Sequence, residues 1–143
     1  MQITHQADYA VRTILYLSRL DPSQRVSTSE IAHFNHIPPS FLTKIISQLA
    51  IAGLIHTSRG ARGGVWLARQ PEDISLLDVL EAIDGTLSLN HCVSDPANCD
   101  FSPDCLIHKF WMDTCREMLG RLKQTTFDQF KKTQEEAALP VAA

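Results

Sequence analysis

Three cysteines and a histidine form the densest group of chemically reactive side chains in this sequence. They are Cys92, Cys99, Cys105 and His108, with the spacing C-x6-C-x5-C-x2-H. Thiolate sulfur and imidazole nitrogen are ligands for thiophilic metal centres, including zinc and the iron of iron–sulfur clusters. Three thiols within one loop could wrap around such a centre. Residues three apart share a helix face, so His108 could supply the fourth ligand.

Three other interpretations remain open for these cysteines. A structural zinc site would accept three cysteines and a histidine, although such sites more often contain C-x2-C or C-x4-C pairs. A thiol–disulfide switch would use the same sulfur atoms without a metal. The cysteines could also be ordinary unliganded residues. Cys115 is expected to belong to that last class, because it falls on an apolar stripe with Ile107 and Trp111 that predicts a core position.

An enzymatic role is not predicted from this loop. Cys92 and the neighbouring His91 are the pair that could act as nucleophile and base. The residues around them show no pattern typical of an oxyanion hole or a substrate pocket. His91 is therefore interpreted as a solvated loop residue, and the loop is interpreted as a binding site rather than a catalytic one.

The residues before the cysteines predict three helices. Apolar periodicity predicts a first helix over residues 6–20. Ser27, followed three residues later by Glu30, forms the capping-box pattern that begins a short second helix. Pro39 suits the first turn of a third helix, and Gly53 should end it.

A hairpin follows, and the order of elements then predicts the fold class. Two β-prone runs, 54–58 and 65–68, enclose a basic, glycine-rich tip. Helix, short helix, turn, helix and hairpin is the order of a winged helix-turn-helix, so we expect a mainly α fold with a small β-hairpin wing. The remaining patterns predict a helix, a loop with the cysteines, a long helix and a short final helix, at about 75–84, 85–104, 104–123 and from Thr126 onward.

The predicted third helix and the hairpin tip carry the side chains expected to contact DNA. Apolar residues recur on one face of that helix and should point into the core. Polar residues on the opposite face could hydrogen-bond to base edges in the major groove. Arginines of the tip could reach the DNA backbone, and its glycines allow a close main-chain approach. These candidates are Ser40, Thr43, Lys44 and Gln48 on the helix, and Arg59, Gly60, Arg62 and Gly63 at the tip.

Charge is divided unevenly along the chain. The net charge is −3, but residues 1–70 contain seven basic and three acidic residues, whereas residues 71–143 contain six basic and thirteen acidic residues. A basic N-terminal half suits phosphate contact, and the acidic half should stay away from DNA.

The predicted organisation is a DNA-binding domain at 1–84, a cysteine-rich cluster-binding loop at 85–108, a dimerisation helix with a C-terminal helix at 104–136, and a tail at 137–143.

The composition predicts a cytoplasmic protein without a membrane partner. Its 143 residues are 44% hydrophobic, enough for one domain with a core of its own. No apolar run approaches the ~20 residues that span a bilayer, and the first residues lack the features of a secretory signal. Thiols stay reduced in the cytoplasm, so clustered cysteines there are more often ligands or redox centres than disulfides.

The ordered motifs resemble one known family, the Rrf2 winged-helix transcription regulators. The resemblance covers nearly the whole chain, and the cluster-sensing members of this family include IscR-like and NsrR-like proteins. Each motif is common by itself, but their order and spacing together are specific. The matching segments are Ile3-Thr4, Asp8-Tyr9-Ala10, IPPSFL at 37–42, AGLI at 52–55, RGARGG at 59–64, ISLLDV at 74–79, AIDG at 82–85 and the three cysteines.

The resemblance implies a homodimer that reads double-stranded DNA. In the family the long helix after the cysteine loop crosses its counterpart in the partner subunit, and two recognition helices then read a pseudo-palindromic operator. The apolar stripe of the long helix is wider than one small domain needs, which independently favours such an interface. Its members are Leu106, Ile107, Phe110, Trp111, Met118, Leu119 and Leu122.

The resemblance also implies an iron–sulfur cluster that controls DNA binding. Cys105 and His108 with Trp111 match the IscR-like pattern, in which three cysteines and this histidine hold a 2Fe-2S cluster, although the first cysteine interval is one residue longer here. Asp8 matches the position from which NsrR-like proteins supply an aspartate, across the dimer, to a nitric-oxide-sensitive 4Fe-4S cluster. We favour His108 and a 2Fe-2S cluster, with Asp8 as the alternative ligand. Iron or cluster supply, redox state and nitric oxide are the candidate signals.

Overall fold

The secondary structure follows the predicted order of helices and strands. A computed structural model describes residues 1–101 and 104–131. Short 3-10 turns lie at Pro71–Asp73 and Pro96–Asn98, and residues 127–131 are helical again. The helices are α1 (His5–Ser18), α2 (Thr28–Asn35), α3 (Pro39–Ile51), α4 (Leu76–Asp84), α5 (His91–Ser94) and α6 (Leu106–Gln124), and the strands are β1 (Ile55–Ser58) and β2 (Gly64–Leu67).

Local capping explains where α2 and α3 begin. Ser27 accepts a hydrogen bond from the Glu30 backbone N–H, and the Glu30 carboxylate accepts one from the Ser27 backbone N–H, so the predicted capping box is confirmed. His36 ends α2 in the left-handed conformation, with φ of 53°. This turn redirects the chain into α3, which Pro39 begins at its first helical position.

The first three helices surround the main hydrophobic core. The apolar face of α3 points inward as predicted, because Leu42, Ile45 and Leu49 are fully buried. Ile14 of α1 and Ile31 of α2 are also fully buried in this cluster. The third helix is therefore fixed along one whole face, and its opposite face remains available to a partner.

The wing is a two-stranded antiparallel hairpin that is joined to the segment before α2. The register pairs Ile55 with Leu67 at one end and Ser58 with Gly64 at the other. Val65 also forms an isolated bridge with Val26, in the segment that leads into α2. A two-stranded hairpin is marginally stable by itself, so these connections to the body of the domain are needed to hold the wing.

The C-terminal part returns to the DNA-binding domain after α6. The Leu76 N–H donates to the Thr125 carbonyl at 2.8 Å, and the Phe127 N–H donates to the Ile74 carbonyl at 3.2 Å. Phe127 is fully buried in the main core. A second, smaller core contains Ala7 of α1 and Leu80 of α4, packed against residues of α6. Helix α6 is therefore anchored both along its length and at its end.

One segment differs from the prediction. The 85–104 region was expected to be a loop throughout, but it contains α5 and the second 3-10 turn. Asn90 caps α5 by accepting from the His91 N–H at 2.8 Å, and Pro96 begins the 3-10 turn. The predicted tail at 137–143 lies outside the described residues. Among the described residues, no helix is both long enough and apolar enough to cross a membrane.

Loss of the capping box should destabilise the domain measurably. Ser27→Ala removes the acceptor of the Glu30 N–H, and we expect the free energy of unfolding to fall by about 1 kcal/mol. Urea denaturation followed by circular dichroism measures this change. Ser29→Ala, on an exposed position of the same helix, should change it by less than ~0.5 kcal/mol. Equal losses in the two variants would contradict the capping explanation.

The same capping box should make stability depend on pH. The Ser27 backbone N–H, and secondly its hydroxyl, lower the pKa of Glu30 from its ordinary value of 4.5. A lowered pKa stabilises the folded state above that ordinary value, and the stabilisation is lost as the pH falls through the lowered pKa. The denaturation midpoint of the wild type should therefore exceed that of Glu30→Gln at neutral pH, and this difference should narrow as the pH falls below 4.5 and through the lowered pKa. A difference in midpoint that does not depend on pH would contradict this assignment. Glu81→Gln, which changes a glutamate outside the capping box, is the control.

Candidate functional site

The exposed face of α3 presents a polar surface beside the wing. Ser40, Thr43 and Lys44 are all exposed, as the sequence predicted. The Thr43 hydroxyl donates to the Pro39 carbonyl of its own helix at 3.1 Å. Lys44 makes no ion pair with any described residue. Its ammonium group is therefore free of internal competition for a phosphate or a base edge.

Gln48 lies at the edge of this face rather than on it. Its side chain is half-buried, and its Oε1 is buried without a hydrogen-bond partner among the described residues. Ser47 is exposed and follows Ser40 by seven positions and Lys44 by three, so it shares their face. Ser47 was not among the predicted DNA contacts, although its spacing from Ser40 and Lys44 places it on the same face.

The wing tip is a tight turn with exposed arginines. Arg59, Gly60 and Arg62 are exposed, and the Gly63 N–H donates to the Gly60 carbonyl at 2.9 Å. A Cβ at Gly63 would lie 2.7 Å from the Arg59 carbonyl carbon and closer still to the Ser58 carbonyl oxygen. Gly63 is therefore required by a close approach of backbone to backbone. Neither arginine forms an ion pair within the described part of the chain.

An open groove separates the reading face of α3 from the wing. It has a volume of about 540 Å³ and is lined by Thr43 and Ser47 on one side and by Thr57 and Arg59 on the other. Hydroxyl groups and one cation line this groove together with apolar side chains, among them Ile46 and Ile51. The geometry suits a DNA strand that passes between a helix in the major groove and a hairpin on the adjacent backbone.

The predicted metal ligands lie on three consecutive pieces of the C-terminal half. Cys92 is on α5, Cys99 follows the second 3-10 turn, and Cys105 is the N-cap of α6. All three thiols are free and half-buried. His108 is in the first turn of α6, and its Nδ1 is buried without a hydrogen-bond partner among the described residues.

This donor set fits a thiophilic centre in chemistry, but the side chains are not gathered in advance. Within residues 1–101 and 104–131, no group of three or more His, Cys, Asp or Glu side chains is already arranged to hold a metal ion. Helix α5 packs against α6, so Cys92 lies on an element that contacts the helix of His108. The Nδ1 of His108 is buried without a hydrogen-bond partner among the described residues, and binding to a metal centre would satisfy it. The thiols must move together for all four groups to bind one centre.

Asp8 forms an ion pair on the surface, whereas Cys115 lies in the interior. The Arg12 Nε donates to the Asp8 carboxylate at 2.9 Å, and both side chains are about half exposed. Such a surface pair contributes only about 0.5 kcal/mol, so Asp8 could exchange this partner for another. Cys115 is buried, and its predicted core position is confirmed.

One face of α6 exposes large apolar side chains. Leu106 is 92% exposed, and Ile107 and Phe110 are more than half exposed. Trp111 is half-buried and stacks edge to face on Phe110. A face of this composition is typical of an interface, since water is a poor solvent for contiguous apolar surface.

The fold and the polar reading face define a winged-helix, DNA-binding transcriptional regulator. Residues 3–133 match the Rrf2 family, described as "Iron-dependent Transcriptional regulator". The chain therefore belongs to the Rrf2 family. Its relatives are transcriptional regulators rather than enzymes, in agreement with the prediction that the loop is not catalytic.

Three similar proteins illustrate the range of the family. The HTH-type transcriptional regulator NsrR of Shouchella clausii is 33% identical over 128 residues, covering 88% of this chain and 85% of the relative. The structure of T. potens IscR has a TM-score of 0.77 at 24% identity, covering 98% of this chain and 93% of the other. That of CymR, the global cysteine regulator of B. subtilis, has a TM-score of 0.79 at 21% identity, covering 93% and 98%.

Replacing Gly63 should weaken DNA binding through the wing. Gly63→Ala forces the tip backbone apart, and we expect the dissociation constant for DNA to rise about tenfold. Fluorescence anisotropy with a duplex selected by the wild-type protein from a random pool measures it. Ala61→Ser, at an exposed position of the same tip, should bind like the wild type. An unchanged affinity of Gly63→Ala would exclude the wing from the DNA interface.

Proposed function

We propose that this protein regulates transcription through an iron–sulfur cluster that controls its affinity for an operator. The observation that carries the proposal is the course of α6. Its first turn begins at Cys105 and contains His108, and the chain after its last turn buries Phe127 in the core of the DNA-binding domain. A change at the cysteine end is therefore connected by one helix to the domain that reads DNA.

Cys92, Cys99, Cys105 and His108 are the ligands we propose. The free, half-buried thiols support this set, as does the Nδ1 of His108, which has no hydrogen-bond partner in the part of the chain that the structure describes. A 2Fe-2S cluster with His108 is favoured over a 4Fe-4S cluster with Asp8, because His108 lies in the first turn of α6, next to Cys105, and its buried Nδ1 has no hydrogen-bond partner among the described residues. When bound, the cluster would supply a centre that responds to iron supply, oxidants or nitric oxide.

If these four side chains bind a cluster, the segment at residues 85–108 would be fixed relative to the rest of α6. Helix α6 packs through Leu119 and Leu122 on the small core that α1 and α4 share. Helix α1 also supplies Ile14 to the core that supports α3. A modest coupling of about 1–3 kcal/mol through these contacts would change operator occupancy several-fold or more.

The DNA contacts we propose are those of α3 and the wing. Ser40, Thr43 and Lys44 would read base edges, with Gln48 and Ser47 at the margins of that surface. Arg59 and Arg62 would contact phosphates, with Gly60 and Gly63 shaping the tip between them. Each phosphate contact adds to the salt dependence of binding.

A homodimer completes the proposal. The exposed apolar face of α6, with Leu106, Ile107 and Phe110, supports an interface with a second copy of the chain. Two copies would present two reading helices to a pseudo-palindromic operator. The domain organisation predicted from the sequence and a cytoplasmic location belong to the same proposal.

A cysteine-based switch without iron is the second candidate. The structural neighbour CymR is titled a global cysteine regulator, and among the described residues no group of three or more potential ligands is already arranged to hold a metal ion. A structural zinc ion at the same residues is a further possibility of this kind. The iron proposal is preferred because the matched family is described as iron-dependent over nearly the whole chain.

Anaerobic purification with a cysteine variant separates these candidates. Wild-type protein should show broad visible absorption and contain iron and sulfide, whereas zinc gives no colour. Cys99→Ala should lose the iron while keeping its secondary structure. Cys115→Ala, which changes a buried cysteine outside the proposed ligand set, should keep the iron. Full iron content in Cys99→Ala would refute the ligand assignment, and colourless wild-type protein that still switches would refute the cluster.

A further inference from the structure

Arg25 contacts the wing although it belongs to the segment between α1 and α2. Its guanidinium carbon lies 4.1 Å from the centroid of the Trp66 ring. Its Nη1 donates a hydrogen bond to the Arg62 carbonyl oxygen at 3.2 Å. Trp66 is in β2 and Arg62 is in the tip, so one side chain connects a strand of the wing to its tip.

The backbone next to Arg25 is joined to the same hairpin. The Val26 N–H donates to the Val65 carbonyl at 3.2 Å, and the Val65 N–H donates to the Val26 carbonyl at 2.8 Å. The fit is close, since a Cβ added at Gly64 would lie 2.9 Å from the Val26 oxygen and 3.1 Å from the Arg25 Cβ. The wing is therefore docked on the residues that lead directly into the capping box of α2.

The wing tip has little support of its own. It contains Gly60, Gly63 and Gly64, and Gly60 and Gly64 have positive φ values of 98° and 145°. Glycine has more accessible backbone conformations than other residues, so a tip rich in glycine loses more conformational entropy when it becomes ordered. Within residues 1–101 and 104–131, the hydrogen bond from Arg25 is the one side-chain hydrogen bond that reaches the tip from outside the hairpin. Cation–π contact with Trp66 holds the guanidinium in the orientation that makes this bond.

We propose that Arg25 is a positioning residue for DNA binding. It orders the wing tip through Trp66 and the Arg62 carbonyl, so that Arg59 and Arg62 are arranged before DNA arrives. Preorganisation raises affinity because the ordering entropy is lost before binding rather than during it. The inference rests on DNA binding by this domain and is independent of the proposed cluster.

A double-mutant cycle between Arg25 and Trp66 tests this role. Arg25→Ala and Trp66→Leu should each raise the dissociation constant for the selected duplex by about five- to tenfold. The dissociation constant of the double variant should be within about twofold of that of the single variant that binds more weakly, because both changes remove the same support. Arg25→Lys keeps the charge but loses the planar fork, so it should also bind weakly. Arg19→Ala, at an exposed basic position at the end of α1, should bind like the wild type.

A direct phosphate contact by Arg25 predicts different results. Arg25→Lys would then bind DNA nearly as tightly as the wild type, and the increases in dissociation constant of the two single variants would multiply in the double variant. In Arg25→Ala, the slope of log affinity against log salt concentration would fall in magnitude by about one. Any of these outcomes would overturn the positioning role.

The fluorescence of Trp66 in the absence of DNA gives a second readout. In a Trp111→Phe background, Arg25→Ala should increase quenching of Trp66 by acrylamide, because the guanidinium no longer covers the ring. Unchanged quenching would contradict the proposal. Should Arg25→Ala fail to fold by circular dichroism, Arg25→Gln takes its place in both experiments, with the same results expected.

Discussion

Burial of Phe127 holds the C-terminal half of this protein on the DNA-binding domain. Phe127 is fully excluded from solvent, and its N–H and the carbonyl of Thr125 bond to Ile74 and Leu76 at the start of α4. Burying a side chain of this size contributes about 1.5–3 kcal/mol. Without that contact, α6 would rest on the domain through the small second core alone. The orientation of the helix that carries Cys105 and His108 therefore depends on a residue well beyond the cysteines.

Helix α1 connects the two cores of the molecule. Ala7, near its start, packs with Leu80 of α4 and with α6, whereas Ile14, two turns later, packs beneath α3. The Thr4 hydroxyl also donates to the Asp84 carboxylate at 2.6 Å, which joins the start of α1 to the end of α4. Movement of α6 can reach the reading surface through α1, and also through α4, which contacts both α6 and α3. Helix α1 is thus one of two elements through which the proposed switch would act.

Local signals allowed much of the fold to be predicted from the sequence. The Ser27–Glu30 capping box, Pro39 at the start of α3 and Gly53 at its end each act within a few residues, so the sequence reveals them directly. Long-range contacts were not predictable in this way. Arg25 meets Trp66 across 41 positions of sequence, and the burial of Phe127 depends on where α6 ends. In the site, the exposure of Ser40, Thr43 and Lys44 follows from helical periodicity, whereas Gln48, which the same periodicity placed on that face, is half-buried.

The glycines of the wing divide the tip into fixed and variable positions. Gly63 is confined by the backbone of Ser58 and Arg59, Gly64 is confined by the backbone of Val26, and Gly60 has a positive φ with open space around it. Arg59, Ala61 and Arg62 are exposed and have no such backbone restriction. Divergence among regulators with this hairpin should be concentrated at those three positions. New operator preferences could then arise at the tip without any rearrangement of the domain that supports it.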